Sequence, residues 1–138
     1  MSPAFAYFWR RWVVVRDWDT LDRLVAAIPS GYWTSYGALA EVLGTGARVV
    51  GTRLSTHGGP GAYRVLRADG SVSAGFHWSD TRETRTVREI LESEGVEFKG
   101  SGRARPEHRL VPADLEDLLD IAAATEDEEG EWHGTDGA

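Results

Sequence analysis

The chain holds no cysteine in its 138 residues. Disulfides, thiolate metal sites, dithiol redox motifs and a cysteine nucleophile are therefore excluded. Four histidines, His57, His77, His108 and His133, share no metal-ligand spacing. Serine, histidine and aspartate fall into no activating motif, and Gly58-Gly59-Pro60-Gly61 does not make a phosphate loop. The expectation is no metal and no cofactor. What remains is cationic: Arg48 opens a segment of helical pattern, and Lys99, Arg103, Arg105 and Arg109 lie in and after a glycine-rich stretch. Such groups either donate to phosphate oxygens or form a solvated face, and residue type alone leaves both readings open.

Charge position separates two regions. All 15 Lys and Arg lie in residues 1–110 against 12 acids, whereas residues 111–138 carry 10 acids and no Lys or Arg. The net charge of -7 is thus +3 followed by -10, so it does not argue against a nucleic-acid partner for the first part. With 41% hydrophobic residues the chain can bury one core. Residues 125–138 offer too little apolar surface to offset the entropy of ordering them, and read as an acidic disordered tail. It is either a solubilising end or a competitor of DNA for the basic face. No apolar run approaches the ~18 residues of a membrane span, and the start lacks the smooth apolar stretch of a signal peptide. The expected location is cytoplasmic, nucleoid-associated in a bacterium, with no membrane partner.

The elements that must position these groups follow from local pattern. Residues 1–18 form an aromatic extension holding Phe5, Tyr7, Phe8, Trp9, Trp12 and Trp18. Asp19 looks like an N-cap, and Leu21, Leu24, Val25 and Ile28 keep helical spacing until Pro29-Ser30-Gly31. Thr34 or Ser35 can cap a helix over 36–43, Gly44-Thr45-Gly46 breaks it, and a second helix runs over 47–56. Helix, glycine turn, helix is a helix-turn-helix signal, although many helical hairpins share it. Residues 62–66 and 71–74 flank Asp69-Gly70, which predicts a small hairpin wing. A helix is expected from Asp80 or Thr81 to about Glu94, with Arg82, Arg85 and Arg88 on one stripe. Val96-Glu97-Phe98 reads as a short strand, 99–105 as a basic loop, and Pro112 as the start of a helix over 111–124.

Four blocks stand in order: Ile28-Pro29-Ser30-Gly31-Tyr32-Trp33-Thr34-Ser35-Tyr36-Gly37-Ala38-Leu39-Ala40, Gly46-Ala47-Arg48-Val49-Val50-Gly51, Tyr63-Arg64-Val65-Leu66-Arg67-Ala68-Asp69-Gly70, and Leu91-Glu92-Ser93-Glu94-Gly95-Val96. The series resembles the DNA-binding domain of O6-alkylguanine-DNA alkyltransferases, and more closely the alkyltransferase-like proteins that lack the reactive cysteine. The resemblance covers roughly residues 20–98 and implies a mainly helical fold with a small β-hairpin wing, a winged helix-turn-helix domain over residues 19–110. It further implies a second helix laid in the minor groove of double-stranded DNA and an alkylated guanine turned out into a pocket. Arg48 matches the arginine that fills the gap left in the stack, Tyr36 the tyrosine at the backbone phosphate, and Gly51 a glycine close to the groove floor. Thr34, Ser35 and Arg53 are expected at the DNA beside them.

The pocket implied by the resemblance comprises His57, Ala62, Tyr63, Arg64, Phe76, Trp78 and Glu94. The family's Pro-Cys-His-Arg-Val block reads Gly61-Ala62-Tyr63-Arg64-Val65 here, so the nucleophile position holds a methyl group and the histidine position a phenol. A methyl group has no lone pair, and alkyl transfer by that mechanism has no attacking atom. His57 stands where the parent enzymes carry a pocket asparagine. Glu94 matches the glutamate behind the histidine, a pair that persists here as a phenol-carboxylate bond or not at all. Phe76 and Trp78 either line the pocket or sit in the core, and Tyr36 and Gly51 have packing readings of their own. The function implied is non-enzymatic lesion recognition, with removal left to nucleotide excision repair proteins. Two rivals stand beside it: a winged-helix module for unmodified DNA, regulatory or defensive, and a protein-interaction module with a silent DNA face.

Overall fold

The computed structural model describes residues 17–78 and 82–122. The aromatic extension up to residue 16 and the tail from 125 lie outside the described residues. Helix α1 is Trp18–Ala27, capped by Asp17, whose carboxylate accepts from the Thr20 amide at 3.0 Å. The cap is therefore two residues earlier than Asp19. Leu21, Leu24, Val25 and Ile28 are all buried, as their spacing predicts.

A strand that local pattern did not announce comes next. Strand β1, Trp33–Ser35, is buried along its whole length and runs straight into helix α2, Tyr36–Leu43. Ser35 is the N-cap, accepting from the Ala38 amide at 3.1 Å. Gly44 ends α2 in the left-handed region at φ 79°, returning its amide to the Ala40 carbonyl at 2.9 Å, a conformation that favours glycine. Helix α3, Ala47–His57, follows and packs on α2, completing the helix-turn-helix.

The mainly helical class and the winged helix-turn-helix hold, but the wing is built differently from a hairpin. After a 3-10 turn over Ala62–Arg64, strand β2, Val65–Leu66, pairs in parallel with β1, and so does β3, Arg109–Leu110. The sheet order is β2-β1-β3. The turn predicted at Asp69-Gly70 forms, with the Arg67 amide reaching the Ser71 carbonyl at 2.9 Å, yet residues 71–74 add no strand. The reason is that β1 offers both its edges to segments far along the chain, and β2 takes one of them. Gly70, at φ 87°, instead accepts from the Ala104 amide at 2.8 Å, tying the turn to the basic loop.

Helix α4 is Val87–Ser93, shorter than the helix expected from residue 80 or 81. Thr86 and Glu89 form a reciprocal capping box that starts it. Just upstream, the Glu83 carboxylate accepts from the Thr84 and Arg85 amides and from the Arg85 guanidinium, which holds 83–85 out of the helix. The arginine stripe is dissolved: Arg85 turns to Glu83, and Arg88 pairs with Glu92 while stacking over Phe98. Phe98 makes a single antiparallel bridge with Ala104 where a short strand was expected. A 3-10 turn over Pro106–His108 leads into β3, and a helix, α5, occupies residues 112–122.

Two apolar clusters hold these elements. One joins α1, α2 and α3 with Ala62, Val65 and Leu115 of α5; the other joins Trp33, Leu66, Val87, Leu91, Val96 and Ala104. Phe76 packs against both and couples the helix-turn-helix to the rest. Trp33 is buried with its indole satisfied, donating to the Arg105 carbonyl at 3.0 Å under the Arg109 guanidinium.

Candidate nucleic-acid interface

Helix α3 divides sharply. Val50 and Leu54 face inward, whereas Ala47, Arg48, Val49 and Thr52 face out. The Arg48 guanidinium has no hydrogen bond or ion pair among the described residues. Val49 is 46% exposed beside it, an apolar residue presented to solvent on the same helix. Sequence reasoning missed Val49, although the adjacent pair Val49-Val50 carried the signal, since only one of two neighbours on a helix can face a core.

Gly51 sits one turn beyond Arg48, next to Tyr36. A methyl group at 51 would meet Tyr36 Cδ1 at 3.9 Å, an ordinary contact, so packing within the chain does not demand glycine there. Tyr36 is half-buried; burial pushes its phenol up, partly opposed by a hydrogen bond with Ser73. That bond links α2 to the loop carrying Phe76 and Trp78.

Three residues expected at the DNA are used internally. Thr34 is fully buried, its hydroxyl donating to the Leu110 carbonyl at 2.8 Å, and Ser35 is buried as the α2 cap. Both side chains stabilise the central strand and its junction with α2 instead. Arg53 lies on a different face of α3 from Arg48, where it meets Asp22 of α1 at 3.4 Å and stacks over Trp18. A five-residue step on a helix turns the side chain well round the axis, which is why the two arginines diverge.

Tyr63, Arg64 and Glu94 form one buried network. The Tyr63 hydroxyl donates to Glu94 Oε2 at 2.5 Å; Arg64 Nε and Nη2 donate to Glu94 at 3.1 and 3.0 Å, and Nη1 to the Ile28 carbonyl at 2.9 Å. The phenol-carboxylate bond is thus the alternative that persists. Burial and the Glu94 bond push the Tyr63 phenol up to about 12. Burial would raise the Glu94 carboxyl too, but hydrogen bonds from Arg64 and Tyr63 outweigh it and hold the group below its usual range.

Around this network the aromatic side chains converge. Tyr63 and Trp78 lie with ring centroids 5.7 Å apart, and Phe76 meets Trp78 edge-on at 5.0 Å. Trp78 Nε1 donates to the Arg85 carbonyl at 2.9 Å. Phe76 and Trp78 therefore belong to the second cluster's margin while standing beside Tyr63. Ala62 is only 7% exposed. His57 stands exposed at the end of α3, its Nδ1 2.8 Å from the Thr56 hydroxyl, not gathered with Tyr63 and Glu94. Of the basic loop residues, Arg103 and Arg105 make long exposed pairs with Asp69 and Glu97, and Arg109 is engaged by Trp33 and the Ala68 carbonyl.

Among the described residues no group of three His, Cys, Asp or Glu could hold a metal ion, and no helix is long and apolar enough to cross a membrane. A family profile described as the 6-O-methylguanine DNA methyltransferase DNA-binding domain matches residues 19–96, more than half of the chain. The chain belongs to this methyltransferase DNA-binding family. It is an alkyltransferase-like member, since the 138 residues carry no cysteine and Ala62 stands at the nucleophile position. The solved structure of S. pombe Atl1 in complex with damaged DNA containing O6-carboxymethylguanine is similar at 27% identity, covering 70% of this chain and 99% of that one, with a TM-score of 0.49. No curated protein matches. In this family member, the methyltransferase histidine is replaced by Tyr63 without loss of the glutamate partner, because a phenol hydroxyl can donate to Glu94 as an imidazole N–H would.

Proposed function

We propose that the protein binds double-stranded DNA through the exposed face of α3 and recognises O6-alkylated guanine by turning it out of the stack, without transferring the alkyl group. One observation carries this reading. Of the arginines on α3 and beside the aromatic cluster, Arg53 and Arg64 are committed to Asp22 and to Glu94, whereas Arg48 projects from the first turn of α3 without an internal partner. A planar, always charged group in that position can enter a base stack and donate to its edges. Val49 and Gly51 flank it with the small apolar surface that a narrow groove accepts. Removal of the lesion then falls to another system, nucleotide excision repair being the recipient, in the cytoplasm or nucleoid.

Titrating duplexes with and without O6-methylguanine at one fixed salt concentration tests the reading. Tighter binding of the modified duplex is expected. Equal binding with a steep salt dependence would leave a module for unmodified DNA, and no binding at about 50 mM salt would leave a protein-interaction module.

A further inference from the structure

Arg64 follows Tyr63 directly but has no donor left for a ligand. Its Nε and Nη2 are spent on Glu94 and its Nη1 on the Ile28 carbonyl. Tyr63 spends its only proton on the same carboxylate, and Trp78 spends its indole N–H on the Arg85 carbonyl. Arg85, the next cation along, is paired with Glu83 at 2.6 Å. The wall made by Ala62, Tyr63, Phe76 and Trp78 therefore presents a methyl group, aromatic carbon and one acceptor oxygen, with the Glu94 carboxylate behind it. It holds neither an uncommitted donor nor a free cation.

This wall lies next to the recognition face through an unbroken series of contacts: Gly51 against Tyr36, Tyr36 bonded to Ser73, and the loop from Ser73 leading to Phe76 and Trp78 against Tyr63. If a guanine is turned out as proposed above, on which this inference rests, its O6 substituent points at position 62, where the parent enzymes hold their nucleophile. We propose that this wall makes the protein selective for neutral O6 substituents and against anionic ones. A methyl or longer alkyl group finds carbon on every side. A carboxymethyl group would be stripped of water beside Tyr63 with nothing to donate to it, and an unsatisfied buried polar group is costly.

Tyr63 is the residue that sets this preference. An imidazole there could aim an N–H, or a positive charge, at the substituent; the phenol, locked as donor to Glu94, cannot. His57, exposed at the end of α3 with Nε2 open, is the one nearby donor on the chain side, and it stands apart from this wall.

The test compares three otherwise identical duplexes carrying guanine, O6-methylguanine or O6-carboxymethylguanine, by fluorescence anisotropy at one salt concentration. The expected order places the methyl adduct about tenfold or more tighter than the carboxymethyl adduct, the factor that a cost of roughly 1.4 kcal/mol produces. Carboxymethyl binding as tight as methyl, or tighter, overturns the selectivity while leaving lesion recognition standing. Equal binding of all three overturns the lesion reading itself and this inference with it. Tyr63→His, checked for an unchanged far-ultraviolet circular dichroism spectrum, should narrow the gap between the two adducts by raising carboxymethyl affinity. A folded variant with the gap unchanged would remove Tyr63 as its source, and the wild-type ratio decides the rest if the variant does not fold.

Discussion

Glu94→Ala takes the acceptor away from three donors at once, the Tyr63 hydroxyl and Arg64 Nε and Nη2. The Arg64 and Glu94 side chains are 16% and 14% exposed, so the abandoned guanidinium regains little water. Removing one partner of a buried ion pair costs about 3–5 kcal/mol; the residual exposure, and the bond Arg64 keeps to the Ile28 carbonyl, bring the expectation to about 2–4 kcal/mol. For a domain of this size the fall in Tm is roughly 10–20 °C. The pH dependence carries a second signature. Glu94 has a folded pKa below its unfolded one, so the unfolded chain takes up the proton first as pH falls. Its stabilisation is complete above the ordinary carboxylate range and is lost as pH drops below that range through the folded value, and the variant should lack that part of the acid limb. Urea unfolding followed by circular dichroism at neutral pH, and again across about pH 3 to 6, measures both effects. A loss below about 0.5 kcal/mol, or an acid limb that overlays the wild type, would show that the network contributes nothing to the fold.

Four further outcomes are expected. Tyr63 has its phenol pushed up to about 12 from an ordinary 10, so its contribution is present below the ordinary value and fades as pH rises through the folded one. Tyr63→Phe should remove that alkaline loss in urea unfolding at high pH, and identical limbs would count against the assignment. Gly70→Ala should lower stability by about 2 kcal/mol or more, because a Cβ there would sit 2.6 Å from the Ala104 carbonyl oxygen at a φ of 87°; an unchanged melting temperature would contradict the geometry. Arg48→Ala should weaken binding to O6-methylguanine duplex more than Arg103→Ala does, since a stacking group acts on the extruded state and a phosphate contact on all sequences alike; reversed magnitudes in the same titration would refute the role given to Arg48. Ala62→Cys should yield no appreciable alkylated protein by intact-mass measurement after incubation with O6-methylguanine duplex, because the Tyr63 phenol is already a donor to Glu94 and cannot act as the base; rapid alkylation would overturn that account.

How far the site was legible in the chain varies residue by residue. Arg48 and Tyr36 could be singled out because block order placed them on a helix-turn-helix, and Glu94 because it stood at a set distance from Tyr63. Thr34, Ser35 and Arg53 were misread as DNA contacts for a common reason. A short polar side chain beside a turn and an arginine on an amphipathic helix look the same in one dimension whether they face water or a partner. Only the placement of Leu110, Ala38 and Asp22 made Thr34, Ser35 and Arg53 internal. Val49 shows the converse, an apolar residue that periodicity assigns to no face until the burial of Val50 is known.

By itself the sequence determined whatever depends on near neighbours or on composition. No thiolate can form where no cysteine exists, and α1, α2 and α3 follow from apolar spacing and caps formed within a turn or two of the chain. The tertiary structure alone decided the parallel sheet and the start of α4. It also decided which arginines are spent and which is left free. Those outcomes rest on hydrogen bonds and ion pairs between groups far apart in the chain, such as Thr34 with Leu110 and Arg64 with Glu94, and a partner's availability at that separation is settled by packing, not by pattern.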